Sequence, residues 1–337
     1  MQLRVESIKR NTADTSTFYL REALGKSISY KAGQFITLVI NHHGNEIRRS
    51  YSLSSSPDEE LLSVTIKRIP NGEITRYLHT YAKPGDVWQA VEPAGRFTLP
   101  DDLHNRTFVY FAAGSGISPV YAHINYILKH GANCRIVLIY SNLVRKNIIF
   151  NDELERLAEQ HPGQLEIIHL VSDEAKRLNN QVAEKLVKQY LGEAFPQADY
   201  YLCGPFTYMR MVRLTLLYMG VGTDRIHKEN FVLETVPASS SVTSFPPQKL
   251  RIHFQNQWHD LQQGENQTIL QAALQNQLHI PYSCGNGVCA ACAVKCTGGE
   301  VTIVKNEVLT NAELKQGWVL TCTGYASGEN VELDFGG

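Results

Sequence analysis

Short apolar runs, separated by turn-forming residues, mark the first hundred positions of the chain. The runs are residues 33–40, 47–53 and 61–67. An Asn-Gly pair then comes before a helical segment at residues 74–80. Runs of this length and spacing predict an antiparallel β-barrel over residues 1–100, with one helix at its mouth.

Beyond residue 100, runs with strand character alternate with runs of helical character. The strand-like runs are residues 108–113, 135–140, 165–170 and 199–203. The helical runs are residues 118–130, 151–160, 180–190 and 206–219. This alternation predicts an α/β domain over residues 101–235, in which helices cover both faces of a parallel sheet.

The composition changes again at residues 236–247, where serine and proline dominate and predict a linker. Residues 248–337 follow, with a strand and a helix that lead into a cysteine-rich loop. Thr310 and Glu313 have the spacing of a capping box, which predicts a further short helix. The chain is therefore predicted to be a multidomain protein with three modules.

Size and charge narrow the class of protein. The chain has 337 residues, of which 43% are hydrophobic and 19% charged, as in an ordinary globular protein. A net charge of -1 argues against a nucleic-acid or membrane surface, and no apolar run reaches the roughly 18 residues of a spanning helix. The first residues lack a signal-peptide core and seven cysteines suit a reducing compartment, so we predict a cytoplasmic location.

The cysteines carry the most specific pattern. Cys284, Cys289 and Cys292 stand as C-x4-C-x2-C, and Cys322 follows in a strand-like run at residues 319–322. This is the plant-type spacing for a [2Fe–2S] cluster held by four thiolates. Glycines inside the first gap allow backbone N–H groups to turn toward the sulfurs.

Two other uses of the cysteines compete with a cluster. A zinc site usually has two C-x2-C pairs, and this stretch has one. Disulfides suit short secreted chains, which this chain is not. Cys296 lies close by, but the glycine-rich x4 loop favours Cys284, so Cys296 is left out of the predicted ligands. Residues 248–337 resemble a plant-type ferredoxin, which implies an α+β domain of the β-grasp type.

A flavin site is predicted on the second apolar run. Arg49, Tyr51 and Ser52 match the R-x-Y-S signature of the ferredoxin-reductase-like flavin domain. A flavin needs a cation for its phosphate, an aromatic face and a small donor at the ring edge, and these three side chains supply them. On its own, the pattern is more typical of an exposed strand with a charged face, and the flavin prediction depends on the neighbouring ferredoxin-like and nucleotide-binding modules.

The helix of the barrel predicts which flavin is bound. Gly72, Ile74 and Thr75 open it, and a helix N-terminus offers free N–H groups to a pyrophosphate. Family members that bind FAD resemble this stretch and the Pro-x-Gly-x-Phe turn at residues 93–97, so the resemblance implies FAD. Lys67 is a further predicted cofactor contact. The alternative is an ordinary capped helix.

A glycine-rich loop lies between a strand and a helix of the second module. Gly114, Gly116, Ser118 and Pro119 resemble the G-x-G-x-[ST]-P loop of the same family, where backbone N–H groups hold nicotinamide dinucleotide phosphates. Pro119 stands near the place of the third glycine of the Rossmann fingerprint, so that fingerprint fails. A plain glycine turn is the alternative.

Further matches indicate the nicotinamide pocket. Cys203, Gly204 and Pro205 match the family's C-G-P turn, and Glu229 and Phe231 close the module where an aromatic approaches the flavin. A buried strand-end cysteine and core packing of the aromatic are the alternatives. The predicted catalytic residues are Ser52, Cys203, Glu229 and Phe231.

The loop at residues 141–147 bears on the choice of nicotinamide. It carries Arg145 and Lys146 and no carboxylate. An acidic residue would hold the ribose 2′-hydroxyl of NAD, whereas a cation accommodates a 2′-phosphate. We therefore predict a modest preference for NADPH, with Arg145 as the phosphate contact.

The whole chain resembles the reductase components of bacterial oxygenases, most closely the phenylacetyl-CoA epoxidase reductase type. The resemblance implies an NAD(P)H oxidoreductase that passes electrons through FAD and a [2Fe–2S] cluster to a soluble oxygenase or another one-electron acceptor protein. An alternative is a reductase of a hybrid-cluster type or other soluble metalloprotein. A non-redox zinc protein is the alternative from another class.

Overall fold

The computed structural model describes residues 1–42, 44–231 and 244–336. The chain divides into two compact units, Met1–Val232 and Leu233–Gly337. Of the predicted linker, residues 236–243 lie outside the described residues. At its end, Phe245 is buried and its ring stacks on Tyr325 at 4.1 Å, so this part of the stretch packs into the second unit. Among the described residues, no helix is long and apolar enough to cross a membrane.

The strands are β1 (Gln2–Thr12), β2 (Thr15–Glu22), β3 (Phe35–His42), β4 (Asn45–Ser52), β5 (Leu62–Lys67), β6 (Val87–Ala94), β7 (Thr107–Ala113), β8 (Arg135–Asn142), β9 (Leu165–Val171), β10 (Asp199–Cys203), β11 (Ile226–Glu229), β12 (Gln248–Phe254), β13 (Gln257–Gln263), β14 (Ala293–Gly298), β15 (Val301–Ile303), β16 (Trp318–Leu320), β17 (Gly324–Ala326) and β18 (Val331–Asp334). The α-helices are α1 (Glu73–Tyr81), α2 (Ile117–His130), α3 (Asn151–Gln160), α4 (Asn180–Leu191), α5 (Phe206–Tyr218), α6 (Ile269–Gln275) and α7 (Asn311–Lys315). Short 3-10 helices lie at Gly114–Gly116, Arg145–Asn147, Ser172–Glu174, Gly192–Gln197 and Thr223–Arg225.

The first module is the predicted antiparallel barrel. Its strands follow the order β4-β3-β6-β1-β2-β5. The two edges meet where Leu53, directly after β4, bridges to Val64 in β5. Helix α1 buries Ile74 and Leu78, which lie one turn apart, in the apolar core that also contains Leu53 and Val64.

The turn expected at residues 93–97 begins later than predicted. Strand β6 runs through Pro93 to Ala94. The pairing between β3 and β6 shifts register between Phe35 and Thr37, opposite this end of β6. A proline has no N–H to donate, and a register shift accommodates it inside a sheet. The turn follows, with Phe97 buried at 2% exposure.

The second module is the predicted parallel sheet, with strand order β11-β10-β7-β8-β9. All four strand pairs are parallel, so every strand ends at the same edge. Separate apolar clusters cover the two faces of the sheet. Because the carboxyl ends of neighbouring strands meet at one edge, this edge gathers the loops that bear the predicted nucleotide residues.

A buried histidine joins the barrel to the parallel sheet within the first unit. His123, in α2, is fully buried, and its Nε2 donates to the carbonyls of Ala32 at 3.1 Å and Phe97 at 3.0 Å. Both acceptors are carbonyl oxygens, so Nε2 carries the proton. Burial lowers the pKa of His123 to about 3, which keeps the imidazole neutral.

The second unit is a mixed sheet, β13-β12-β18-β14-β16, with a small sheet β15-β17. Strands β12 and β18 pair in parallel, and the other pairs of the large sheet are antiparallel. The capping box predicted for Thr310 and Glu313 opens α7. A second one, which was not predicted, joins Thr268 and Gln271 at the start of α6. The α+β prediction of the β-grasp type is confirmed.

The predicted strand at residues 319–322 is too long. Strand β16 stops at Leu320, and Cys322 lies in the turn that follows. Thr321 is held at the change of direction by two backbone hydrogen bonds: its N–H donates to the carbonyl of Cys292 at 3.2 Å, and its carbonyl accepts from the N–H of Leu270 at 2.9 Å. The turn brings the fourth cysteine against the cysteine loop.

Candidate functional site

Strand β4 carries the predicted flavin residues at its end. The Tyr51 hydroxyl and Ser52 Oγ are buried, and neither has a hydrogen-bond partner among the described residues. Burial raises the pKa of Tyr51, so its hydroxyl keeps its proton. Arg49 is exposed, and its Nη1 donates to the carbonyl of Arg48 at 2.8 Å. Two buried polar groups that lack partners, beside an exposed cation, indicate that a ligand completes this strip.

Helix α1 begins at the position predicted for a pyrophosphate. Its N-cap, Gly72, makes no side-chain cap, so the first N–H groups of the helix stay available to a ligand. The Thr75 hydroxyl donates to the carbonyl of Gly72 at 3.1 Å and accepts from the N–H of Ile69 at 3.3 Å. Ile74, buried at 2% exposure, anchors this turn in the barrel core.

Lys67, the last residue of β5, has a carboxylate partner. Its Nζ lies 3.5 Å from Asp14 Oδ2. The other oxygen of Asp14 accepts from the hydroxyls of Thr12 at 2.8 Å and Thr15 at 3.1 Å, which fixes the carboxylate. Lys67 would therefore share its charge between Asp14 and any phosphate.

The glycine-rich loop and the C-G-P turn lie against each other. A Cβ on Gly116 would stand 2.2 Å from the carbonyl oxygen of Cys203 and 2.9 Å from the N of Gly204. Cys203 pairs with Ala112 across β7 and β10, which sets this approach. The glycine-rich loop and the C-G-P turn, nearly ninety positions apart in the sequence, thus meet at one edge of the sheet. Only glycine fits at position 116, where they touch.

The first turn of α2 is closed by its own residues. The Ser118 hydroxyl donates to the carbonyl of Ser115 at 3.1 Å, and Ser118 and Pro119 are both buried. Pro119 is tolerated because the first N–H groups of a helix have no partner within the helix. These two residues shape the turn that follows the glycine-rich loop at the sheet edge.

The predicted catalytic residues of this module gather at the ends of β10 and β11. Cys203 is opposite Glu229 in the parallel pairing. Burial, and then Glu229, raise the pKa of the Cys203 thiol, and burial raises the pKa of the Glu229 carboxyl to about 8. Pro205 is the N-cap of α5. Phe231, just beyond β11, is 42% exposed.

Arg145 has a partner that the sequence did not suggest. Its Nε and Nη2 donate to Glu174 Oε1 at 2.5 Å and Oε2 at 3.0 Å. Glu174 belongs to the 3-10 helix after β9, whereas the prediction considered only the loop after β8. The loops after β8 and β9 follow neighbouring parallel strands and therefore lie at the same sheet edge. Comparing the charges of these two loops could have suggested the pair.

The four predicted cluster ligands lie together in the second unit. Sγ of Cys292 lies 3.2 Å from Sγ of Cys322, and the N–H of Cys284 donates to Sγ of Cys289 at 3.4 Å. The consecutive residues Asn286 and Gly287 connect the two pairs, because their N–H groups donate to Sγ of Cys284 and to Sγ of Cys322. All four sulfurs therefore belong to one group.

Backbone donors point at these sulfurs. The N–H of Asn286 lies 3.3 Å from Sγ of Cys284, and the N–H of Gly287 lies 3.3 Å from Sγ of Cys322. Gly287 has a φ of +70°, and a Cβ there would lie 2.4 Å from the carbonyl oxygen of Lys305. Inward N–H groups stabilise negatively charged sulfur, as a thiolate-bound cluster requires.

Cys296 is placed apart from this group. It lies in β14, and its thiol donates to the carbonyl of Gly298 at 3.3 Å. It forms a cross-strand pair with Leu333 of β18. Its thiol is thus engaged by the backbone of its own strand.

Three family models match consecutive parts of the chain. They are the "Oxidoreductase FAD-binding domain" at residues 2–99, the "Oxidoreductase NAD-binding domain" at residues 111–214 and the "2Fe-2S iron-sulfur cluster binding domain" at residues 252–327. Their order is that of the barrel, the parallel sheet and the second unit.

The full length of the chain is similar to the reductase components of oxygenases. The ferredoxin reductase component of 3-ketosteroid-9-alpha-monooxygenase from Rhodococcus rhodochrous is 30% identical over 99% of this chain and 96% of the relative. The chain belongs to the family of ferredoxin reductase components of monooxygenases. The reductase is also similar to a component of 1,2-phenylacetyl-CoA epoxidase from Escherichia coli, with 29% identity over 99% of this chain and 97% of that one.

Solved structures share the fold of the reductase. Phthalate dioxygenase reductase covers 99% of this chain and 98% of its own, with a TM-score of 0.62 and 22% identity. An intact type IV self-sufficient cytochrome P450 monooxygenase covers 98% of this chain and 40% of its own, with a TM-score of 0.74 and 23% identity. These likenesses concern the fold alone.

The residues present fit the groups that the family implies. The orphaned Tyr51 hydroxyl and Ser52 Oγ suit a flavin, and four grouped thiols with inward N–H donors suit a [2Fe–2S] cluster. The reductase is an oxidoreductase that uses FAD, NAD(P)H and a [2Fe–2S] cluster, as predicted. The alternative of a non-redox zinc protein is therefore set aside.

Proposed function

We propose that the reductase takes electrons from NAD(P)H and delivers them singly to a soluble oxygenase. The observation that supports this is that the unpartnered Tyr51 hydroxyl and Ser52 Oγ, and the close contact of Gly116 with Cys203, lie in the first unit. The four neighbouring thiols lie in the second. FAD exchanges electrons in pairs or singly and a [2Fe–2S] cluster exchanges them singly, so the bound cofactors supply the conversion.

The barrel residues would bind and orient the flavin. Arg49 supplies the cation for its phosphate, Tyr51 an aromatic face and Ser52 a hydroxyl at the ring edge. The N–H groups of the first turn of α1, from Gly72 to Thr75, would hold the pyrophosphate of FAD, except that of Gly72 itself, which donates to the carbonyl of Ile69 at 3.0 Å. The other barrel residues proposed for this site are Lys67 and Ile74.

The sheet edge would bind the nicotinamide nucleotide. Backbone N–H groups at Gly114 and Gly116 would hold its phosphates, and the turn at Cys203 would lie beside the nicotinamide. Burial raises the pKa of Glu229 to about 8, which favours a role for its carboxyl as a proton donor. Phe231 would cover the place where nicotinamide and flavin meet. The other residues proposed here are Ser118, Pro119, Arg145, Gly204 and Pro205.

The second unit would hold the cluster through Cys284, Cys289, Cys292 and Cys322. Similar proteins include a monooxygenase reductase component and a component of an epoxidase, which favours an oxygenase over a hybrid-cluster protein as acceptor. None of the seven cysteines, all of which are described, forms a disulfide, and this suits the reducing cytoplasm proposed as the location.

A truncated chain tests the order of electron transfer. The full chain should oxidise NAD(P)H with either a small dye or a one-electron protein acceptor. A chain ending at residue 236 should bind FAD and oxidise NAD(P)H with the dye alone, because the proposed flavin and nucleotide residues lie in the first unit. Iron content and flavin content are measured in parallel. A folded, flavin-loaded truncated chain that fails to oxidise NAD(P)H with any acceptor, the dye included, would contradict the proposal.

A further inference from the structure

Two loops meet at the outer part of the nucleotide edge. The chain leaves β8 after Asn142 and β9 after Val171, and these parallel strands pair up to that position. The loops are joined where the N–H of Asp173 donates to the carbonyl of Leu143 at 3.1 Å. Arg145 and Glu174, twenty-nine positions apart, are therefore held side by side by the backbone as well as by their charges.

The same edge contains the glycine-rich loop. Ala113, directly before the loop, pairs with Ser141 across β7 and β8. The Tyr140 hydroxyl donates to the carbonyl of Gly114 at 3.0 Å, which ties β8 to the loop. Arg145 follows this strand by three residues, so its side chain extends from the edge to which the proposed function assigns the nucleotide phosphates.

The Arg145–Glu174 pair uses the geometry that a phosphate would use. Both carboxylate oxygens accept from the guanidinium fork, at 2.5 Å and 3.0 Å. Lys176 Nζ also lies 3.8 Å from Glu174 Oε2. The side chains of Arg145 and Glu174 are 55% and 32% exposed, so a ligand from solvent can reach both.

We propose that Glu174 determines the choice between NADPH and NADH by competing with the ribose 2′-phosphate for Arg145. The inference rests on the proposed nucleotide site. A 2′-phosphate must displace Glu174 from the guanidinium fork and accept the remaining repulsion between the two anions. NADH brings only a 2′-hydroxyl, which a carboxylate can accept without leaving Arg145. Glu174 thus reduces the NADPH preference that Arg145 alone would give.

The expected effect is moderate because the pair is exposed. Solvent screens both the ion pair and the repulsion from the phosphate. Glu174→Gln should raise the ratio of kcat/KM for NADPH to kcat/KM for NADH by about three- to tenfold, by freeing Arg145 and removing one negative charge. Most of the change should come from KM for NADPH.

A double-mutant cycle on the full, cofactor-loaded chain tests this. The ratio is measured for wild type, Glu174→Gln, Arg145→Ala and the double variant. Binding of 2′,5′-ADP and 5′-AMP is measured by calorimetry as a readout that needs no turnover. The effect of Glu174→Gln should vanish when Arg145 is alanine. Glu184→Gln, which breaks a similar exposed pair with Lys188 in α4, should leave the ratio unchanged.

Several outcomes overturn the proposal. If the ratio is unchanged in both Glu174→Gln and Glu174→Ala, Glu174 does not act on the 2′ position. An equal rise with and without Arg145 means that only overall charge matters. If neither nucleotide reduces the flavin in wild type, the proposed function fails instead. A reductase that is active with both nucleotides and shows no shift therefore refutes the role of Glu174 alone.

Discussion

Acid should weaken the contact that His123 makes between the barrel and the parallel sheet. Nε2 of His123 donates to the carbonyls of Ala32 and Phe97, and Nδ1 lies 3.4 Å from the hydroxyl of Tyr110. A second proton would put a charge in the apolar cluster that surrounds this ring. Burial is the main cause that lowers the pKa of His123 to about 3, and the two carbonyl acceptors only partly oppose it.

The sign and size of the effect follow from this pKa. In the unfolded chain the imidazole binds a proton below about pH 6.5, and in the folded chain only below about pH 3. Between these values the unfolded state holds more protons, so the free energy of unfolding falls as the pH falls. Between pH 7 and pH 5 this one histidine should cost about 2 kcal/mol.

His123→Gln separates titration from hydrogen bonding, since the Gln amide can still donate to a carbonyl but cannot gain a proton. The variant should be less stable than wild type at pH 7, but its loss between pH 7 and pH 5 should be smaller by about 2 kcal/mol. Urea unfolding of the cofactor-loaded chain is followed by flavin fluorescence, which reports release from the first unit. His161→Gln, at the partly exposed end of α3, is the matched control.

Equal losses in wild type and His123→Gln between pH 7 and pH 5 would refute the reasoning. They would mean that His123 gains its proton in the folded state as readily as in the unfolded chain. A changed pH dependence in His161→Gln would show that the assay responds to any histidine of the module. Both outcomes compare the pH-dependent change in the free energy of unfolding between variants. Such differences depend less on strict two-state unfolding than absolute values do.

Two further predictions concern the bound groups. Single Cys→Ser changes at the four proposed ligands should lose iron and the visible absorption of the cluster, whereas Cys296→Ser should keep both; an iron-free Cys296→Ser protein would contradict the assignment. Gly116→Ala puts a Cβ 2.2 Å from the carbonyl of Cys203 although its φ of -61° suits alanine, so it should raise KM for NAD(P)H about tenfold or more and leave FAD bound. Ser115→Ala, in the same loop, should change KM little, and a normal KM for Gly116→Ala would mean that the loop does not hold the nucleotide.

The parallel sheet was the part of the fold most open to prediction. Helix α3 covers the residues predicted for it, 151–160, and β10 covers the predicted 199–203. Strand and helix differ in hydrophobic period, and alternation of the two restricts the topology to few choices. The order β11-β10-β7-β8-β9 nevertheless depends on contacts distant in sequence, which no local pattern specifies.

The barrel shows where local patterns fail. Strands β1 and β2 were not located individually, because their core residues are mixed with polar ones. Their burial depends on pairing with each other and with β5 and β6, which lie far along the chain. His123 was missed for a similar reason, because its acceptors, Ala32 and Phe97, belong to another module.

The sequence predicts the structural role of a constrained glycine better than it predicts the partner of a charged side chain. Gly116 and Gly287 each lie where a Cβ would come within 2.4 Å of the carbonyl oxygen of a residue distant in the chain. This constraint is steric and leaves one residue type, so the motif around each glycine indicates the local geometry reliably. A charged side chain is not restricted in this way, because it can pair with any carboxylate that the fold brings near. Lys67 pairs with Asp14 and Arg145 pairs with Glu174, and each partner comes from a different element.

Backbone N–H groups and charged side chains should therefore contribute to ligand binding in different ways. The direction of the N–H groups in the loops around Gly116 and Gly287 is set by the packed backbone, and those of Asn286 and Gly287 already point at cysteine sulfurs. A paired cation must first give up its carboxylate, so its contribution is the difference between two ion pairs. Affinity for the shared part of NADH and NADPH should therefore depend on the glycine loop, and discrimination between them on the Arg145–Glu174 pair.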